Sequence, residues 1–378
     1  MAELPVETIP GDDLSKAPQT GIGLCLSGGG YRAMVFHLGA LWRLYEAGIL
    51  GKVARISSVS GGSITAGILG LNWPKLSFDP QKLREDFVPY VVDPVRRLAG
   101  ETIDADSIIL GLALPGRIGD RIAGAYAKYL FGDATLQDLP DRPRFVINAT
   151  NVQSGALWRF MKPYMRDYRV GEVKSPRISL SQAVAASSAF PPVLSPVELA
   201  LDPNEFTPNS GQDLQRTPFT SKVVLSDGGV YDNLGLETVF KRYKTVLVSD
   251  AGGHVKPEEE PKSDWARHAY RVLNLIDNQV RALRKRQLIA AYMSGDRDGT
   301  YWGIRTNIAN YQLGDALSCP YERTTELAEI ATRLKRMDDR VQERLINWGY
   351  AVCDAALRKH VSSDIAAPTD FPFPPARV

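Results

Sequence analysis

Residues 22–26, IGLCL, form an unbroken apolar run that stops at Gly28, Gly29 and Gly30, and the stretch 31–47 beyond them is proline-free and largely apolar up to Gly48. A short apolar run bounded by turn residues reads as a buried strand, the longer one as a buried helix, and Gly48 as its left-handed C-terminal cap. The pattern repeats at once, with strand character over 53–59, a sharp turn at Ser60, Gly61 and Gly62, and a helix over 63–71. Two successive strand-turn-helix units predict a parallel sheet with helices packed on its faces.

The chain then changes texture. Between 73 and 140, Pro74, Pro80, Pro89, Pro94 and Pro115 separate helical pieces such as 118–131, which predicts a helical insertion or lid. Strand character returns over 144–150 and 156–160, and the small residues of 179–189 predict a helix that Pro191 and Pro192 must stop. The polar stretch 201–220 reads as a surface loop, and 223–225 and 246–248 as short buried strands, each followed by Ser-Asp. A long helix is expected over 264–291, a strand over 301–305, helices over 323–336 and 339–359, and an extended or disordered proline-rich tail. The expected organisation is a loose leader over 1–20, an α/β unit over 21–260 with its insertion at about 73–140, and a helical C-terminal extension over 261–378.

Composition narrows the partners. The 378 residues carry 45 basic and 43 acidic side chains, a net charge of +2, which speaks against a nucleic-acid polyanion. The three cysteines, Cys25, Cys319 and Cys353, suggest neither a disulfide framework nor a zinc site. The longest uncharged apolar stretches, 108–115 and 67–73, are far short of the roughly 18 residues of a membrane span. The first residues lack the basic start and apolar run of a signal peptide.

Three features carry chemistry. Ser60 lies in Ser58-Val59-Ser60-Gly61-Gly62 between strand and helix, where a nucleophile elbow would expose its hydroxyl, although Ser58 replaces the usual first glycine. By itself the run also fits a plain loop serine. Gly28, Gly29 and Gly30 precede a helix and suit an anion cradle, an oxyanion hole or an empty tight turn. No Lys-Ser or Lys-Thr follows them, which speaks against a phosphate loop. Asp227 leaves a buried strand ahead of Gly228 and Gly229, either at a sheet-end active site or as a turn aspartate bonding its own backbone. Two surface candidates are the cations Arg281, Arg284, Lys285 and Arg286, as a solvated face or an anionic-lipid contact, and the apolar stretch 108–131, as core or as a face for lipid.

The blocks LSGGGYRAMVFHLGAL, SSVSGGSITAG, AVAASSAFPPVLSPVEL and SDGGVYDNLGLE, spread over about 21–240, occur in the order of the patatin-like phospholipase family, which the chain resembles. The resemblance implies a three-layer α/β/α fold with a mostly parallel central sheet, and hydrolysis of ester bonds in phospholipids, lysophospholipids or other lipid esters by a Ser-Asp dyad. It implies Ser60 as nucleophile, Asp227 as dyad acid, Gly28, Gly29 and Gly30 as oxyanion hole, and Arg32 as the arginine after the glycine block, positioned toward substrate. Ser27 and Ala33 stand where many members have aspartate and glycine, a wording closer to the eukaryotic cytosolic phospholipase branch. No cofactor and no metal are implied. The partners implied are a lipid ester, a peripheral membrane surface and, as for some relatives, a protein or small-molecule activator, with a cytoplasmic location. An acyltransferase or non-lipid esterase with the same dyad, a catalytically impaired lipid-binding effector, and a Ser60-Asp227-His254 triad stay open beside this reading.

Overall fold

The computed structural model describes residues 17–103 and 118–378. The two expected units are β1 (Gln19–Leu26) with α1 (Gly30–Glu46) and β2 (Val53–Ser58) with α2 (Gly61–Asn72). Gly48 has the left-handed φ of 64° that ends the first helix. β1 starts inside the expected leader because Gln19 already pairs with Tyr243. After α3 (Asp93–Ala99) and α4 (Ile118–Tyr126) the chain forms β3 (Arg144–Asn151), β4 (Ala156–Phe160), β5 (Tyr164–Asp167) and β6 (Gly171–Lys174). There follow α5 (Leu180–Ser187), β7 (Val197–Ala200), β8 (Lys222–Asp227) and β9 (Tyr243–Asp250). The C-terminal region holds α6 (Trp265–Met293), β10 (Asp298–Gly303), α7 (Tyr321–Ala328) and α8 (Asp339–His360).

The strands β10, β9, β1, β2 and β3 lie side by side and parallel, and β4, β5 and β6 extend the sheet antiparallel. Side chains that alternate along a strand face opposite sides. Leu24, Leu26 and Leu247 accordingly enter the large core under α1 and α2, while Cys25, Val246 and Val248 enter a second core with Leu236 and Leu288. Helical segments therefore cover both faces, giving the three layers.

β3 decides where the site lies. Its first half pairs in parallel with β2, ending at Ser58 opposite Ile147, and its second half pairs antiparallel with β8, ending at Asp227 opposite Ala149. The carboxyl ends of β2 and β8 thus meet head-on along the same edge of β3.

The C-terminal region belongs to the main core. α8 crosses α1 so closely that a Cβ on Gly39 would lie 1.9 Å from the Ile346 carbonyl oxygen, and one on Gly349 would lie 2.0 Å from that of Phe36. The tail forms no helix or strand, as an extended segment would, and it is packed rather than disordered: Asn347 donates to the carbonyls of Phe373 and Arg377, and Phe371 and Val378 are buried. The helix expected over 323–336 stops at Ala328, because the following residues run across the N-terminus of α1. There Tyr31 N–H donates to the Arg333 carbonyl at 3.0 Å, an anchoring bond a continued helix would not supply. Of the apolar stretch 108–131, residues 108–117 lie outside the described residues, and Ile122, Tyr126 and Phe131 are packed into the core.

Candidate active site

Ser60 occupies the turn between β2 and α2 with φ 53° and ψ −121°. For a residue with a Cβ this backbone is strained by about 1–3 kcal/mol, and such strain gathers where a side chain must be presented. Only glycines fit around it: a Cβ on Gly61 would lie 2.1 Å from the Gly30 carbonyl oxygen, and one on Gly62 would lie 2.5 Å from that of Leu26. Asp227, 2% exposed, ends β8 on the opposite side. One of its carboxylate oxygens accepts the Gly229 N–H at 2.7 Å, and the Ser60 hydroxyl faces the same carboxylate and favours its ionised form. Burial pushes the Asp227 carboxyl up to about 7 against the opposing influence of Gly229 and Ser60, and the neighbouring Asp277 carboxyl adds to the rise.

The end of α5 holds the two halves together. The Ser187 hydroxyl accepts the Ser60 N–H at 3.0 Å and donates to the Asn148 carbonyl at 2.7 Å, while its own carbonyl accepts the Gly228 N–H. Two residues on, the Ala189 carbonyl accepts the Asp227 N–H at 2.9 Å. Ser187 lies within a block that marked the family resemblance, but its role rests on contacts remote in sequence. Ser187→Ala would leave a buried N–H without an acceptor beside the serine. Steady-state kinetics on a soluble ester should show kcat lower by about ten- to a hundredfold, the equivalent of ~1–3 kcal/mol, with KM little changed.

The glycine loop is fixed from several sides. Gly28 N–H donates to the Asn233 carbonyl at 3.1 Å, so it is already used. The N–H groups of Gly29, Gly30 and Gly61 have no acceptor among the described residues. Ser27 accepts the Ala251 N–H on its hydroxyl. His37 bridges the Ser249 hydroxyl and the Ser27 carbonyl at 2.8 and 2.9 Å, and burial pulls its imidazole down to about 4, so it serves the packing as a neutral ring. Arg32 is buried with its guanidinium donating to the carbonyls of Ala251 and Ile330 and to the Thr332 hydroxyl. It thereby binds the 330–332 segment to the loop. His254 is exposed and makes no hydrogen bond among the described residues.

Two cavities meet at Ser60. One, of about 600 Å³, reaches Asp227 and His254 and has the charged side chains Lys256, Arg267 and Arg271 on its walls. The other, of about 310 Å³, is apolar and is walled by Phe190, Pro191, Pro192, Val193, Leu194 and Leu334. Tyr270 and Thr332 border both. Among the described residues no cluster of potential ligands for a metal ion occurs.

These features define an α/β protein in which a strand-ending serine faces a strand-ending buried aspartate. The patatin-like phospholipase family profile matches residues 24–240, more than half of the chain, and the chain belongs to that family. Human GIVD cytosolic phospholipase A2 in complex with methyl gamma-linolenyl fluorophosphonate is similar in structure, with a TM-score of 0.51 at 15% identity over 89% of this chain and 57% of that chain, which shows a shared fold. The same human enzyme in another structure gives 0.39 at 15% identity over 66% of this chain and 50% of that chain. VipD from Legionella pneumophila gives 0.33 at 16% identity over 83% and 67%. The match spans 40–57% of the length of the phospholipase A2 chains. No curated protein matches in sequence.

Proposed function

We propose that this protein is a lipid acyl hydrolase that cleaves phospholipid or lysophospholipid esters through an acyl-serine intermediate. The observation that carries the reading is the placement of Ser60, on a strained turn, facing the buried Asp227 carboxylate across the junction of β2 and β8, where a cavity walled by charged side chains meets an apolar one. An acyl ester has the same two-sided character, a polar head and an apolar chain meeting at one carbonyl.

In this reading Asp227 accepts the serine proton as Ser60 Oγ bonds to the carbonyl carbon, and the charge moves to the carbonyl oxygen. An ordinary aspartate, near 3.9, is a weak base for a hydroxyl, and a carboxylate raised to about 7 is a stronger one. The free N–H groups of Gly29 and Gly30, with Gly61 beside them, are the candidate oxyanion donors; one such donor is worth about 2.7–4 kcal/mol in the transition state. Collapse of the intermediate releases the alcohol, which takes the proton from Asp227. Water then attacks the acyl-serine by the same route in reverse. Gly28 acts as a support for the loop, and Arg32 as its positioning residue.

Labelling with a fluorophosphonate probe, lost on Ser60→Ala, tests the nucleophile, and mass spectrometry of a defined phospholipid panel identifies the substrate. The absence of a histidine from the pair gives a second test. His254→Ala should retain most of the esterase activity, and near-total loss in initial-rate assays would replace the dyad with a triad.

A further inference from the structure

The large apolar side chains that the described surface leaves exposed are concentrated on α6. Trp265, Tyr270, Val272, Leu275, Ile276, Leu283 and Met293 all belong to this one helix, and Trp265 and Met293 are each 84% exposed. Trp265, Val272, Ile276 and Leu283 follow one another at intervals of seven, four and seven residues. At 3.6 residues per turn they form a single stripe about 27 Å long, spanning five turns. Leu288 and Ala291, turned away from the stripe, are the buried residues of the helix.

We infer that this stripe is the surface on which the protein docks to a lipid bilayer carrying anionic headgroups, with α6 lying in the plane of the interface. The inference rests on the lipid-hydrolase reading and specifies the face that meets the substrate. Position supports it, because the stripe runs past the mouth of the site: Tyr270 of the same helix borders both cavities, and Arg267 and Arg271 line the larger one. Charge supports it as well, since α6 carries six basic residues against the single acid Asp277. Arg267, Arg271 and Arg284 are paired with Asp264, Glu258 and Glu237, and the Lys285 ammonium lies 4.2 Å from the centre of the Tyr301 ring, whereas Arg286 is exposed with no carboxylate in ion-pair range among the described residues. A shallow apolar groove bordered by Lys285, Arg286, Ile289 and Met293 continues the contact toward the C-terminal end of α6. An apolar stripe flanked by cations, with a tryptophan at one end, is the composition of helices that lie on a bilayer. Among the described residues no helix is long and apolar enough to cross one.

Co-sedimentation of the full-length Ser60→Ala protein with phosphatidylcholine vesicles, with and without phosphatidylglycerol, separates docking from turnover. Binding to the anionic vesicles is expected. It should weaken by about tenfold or more in an Ile276→Glu, Leu283→Glu double variant and less in Trp265→Ala, because burial of each large apolar side chain is lost. In the otherwise wild-type enzyme the same changes should lower hydrolysis of vesicle lipid and leave hydrolysis of a water-soluble short-chain ester unchanged. Unchanged vesicle binding would overturn the inference. So would sedimentation velocity showing a wild-type dimer that the glutamates dissociate, which would assign the stripe to a second copy. If the wild type cleaves no ester while Ser60→Ala still binds vesicles through the stripe, the hydrolase reading fails and the docking surface stands.

Discussion

Replacing Ser60 with alanine is expected to lower ester hydrolysis by at least about 10⁴-fold, the scale seen when a covalent nucleophile is removed, and to abolish fluorophosphonate labelling. The fold should be unaffected. The hydroxyl is directed at Asp227, whereas the bonds that hold the turn come from the backbone: Ser60 N–H to Ser187, and Ser63 N–H to the Ser60 carbonyl. A thermal midpoint within a degree or so of wild type, together with loss of turnover on both a soluble ester and a phospholipid, would separate chemistry from folding. Retention of more than a tenth of the activity would remove Ser60 from the mechanism.

Asp227→Asn should be equally inactive, and it should be more stable than wild type at neutral and alkaline pH. In the folded protein burial holds the Asp227 proton up to about 7, against 3.8 for an ordinary aspartate. The folded state therefore binds the proton more tightly than the unfolded chain. The stability contributed by the neutral acid is fully present below about pH 4 and is lost as pH rises toward 7. The displacement corresponds to an upper limit of roughly 4 kcal/mol at ~1.36 kcal/mol per unit. Asparagine carries no charge to bury, so the variant should gain on wild type as pH increases through that window and show no advantage below about pH 4. Urea unfolding of the two proteins at pH 4 and pH 8 measures the difference. The same ionisation sets the activity profile: kcat/KM of the wild type should rise about tenfold per pH unit below pH 7 and level off above it, as expected where the carboxylate is the base. A profile flat from pH 5 to 8 would contradict that role.

The α/β core was legible because its signals are local. The apolar runs at 22–26 and 53–59, the glycines after each, and the proline-free stretch behind the first specify strand, turn and helix within a few residues. The elements missed were β5, β6 and β7, four-residue strands whose pairing partners lie elsewhere in the chain. The residues after Ala328 carry a helical pattern but form no helix for a related reason. Their helical pattern yields to bonds with α1 and Arg32 that no window of sequence contains.

By itself the sequence determined the class of fold and the candidate chemistry. A serine on a glycine turn, a glycine block before a helix and an aspartate at a strand end are each fixed by short-range sterics, and their order along the chain carried the family resemblance. Only the tertiary structure decided that Ser60 and Asp227 face one another, because that depends on β2 and β8 meeting along β3. It also decided which glycine amides stay free, that Arg32 is spent on the 330–332 segment, and that residues beyond 240 form much of the cavity walls. The physical reason is the same throughout. Turns are set by the conformations their own residues allow, whereas cavities, orphaned donors and buried charges are set by whatever distant segment packs against them.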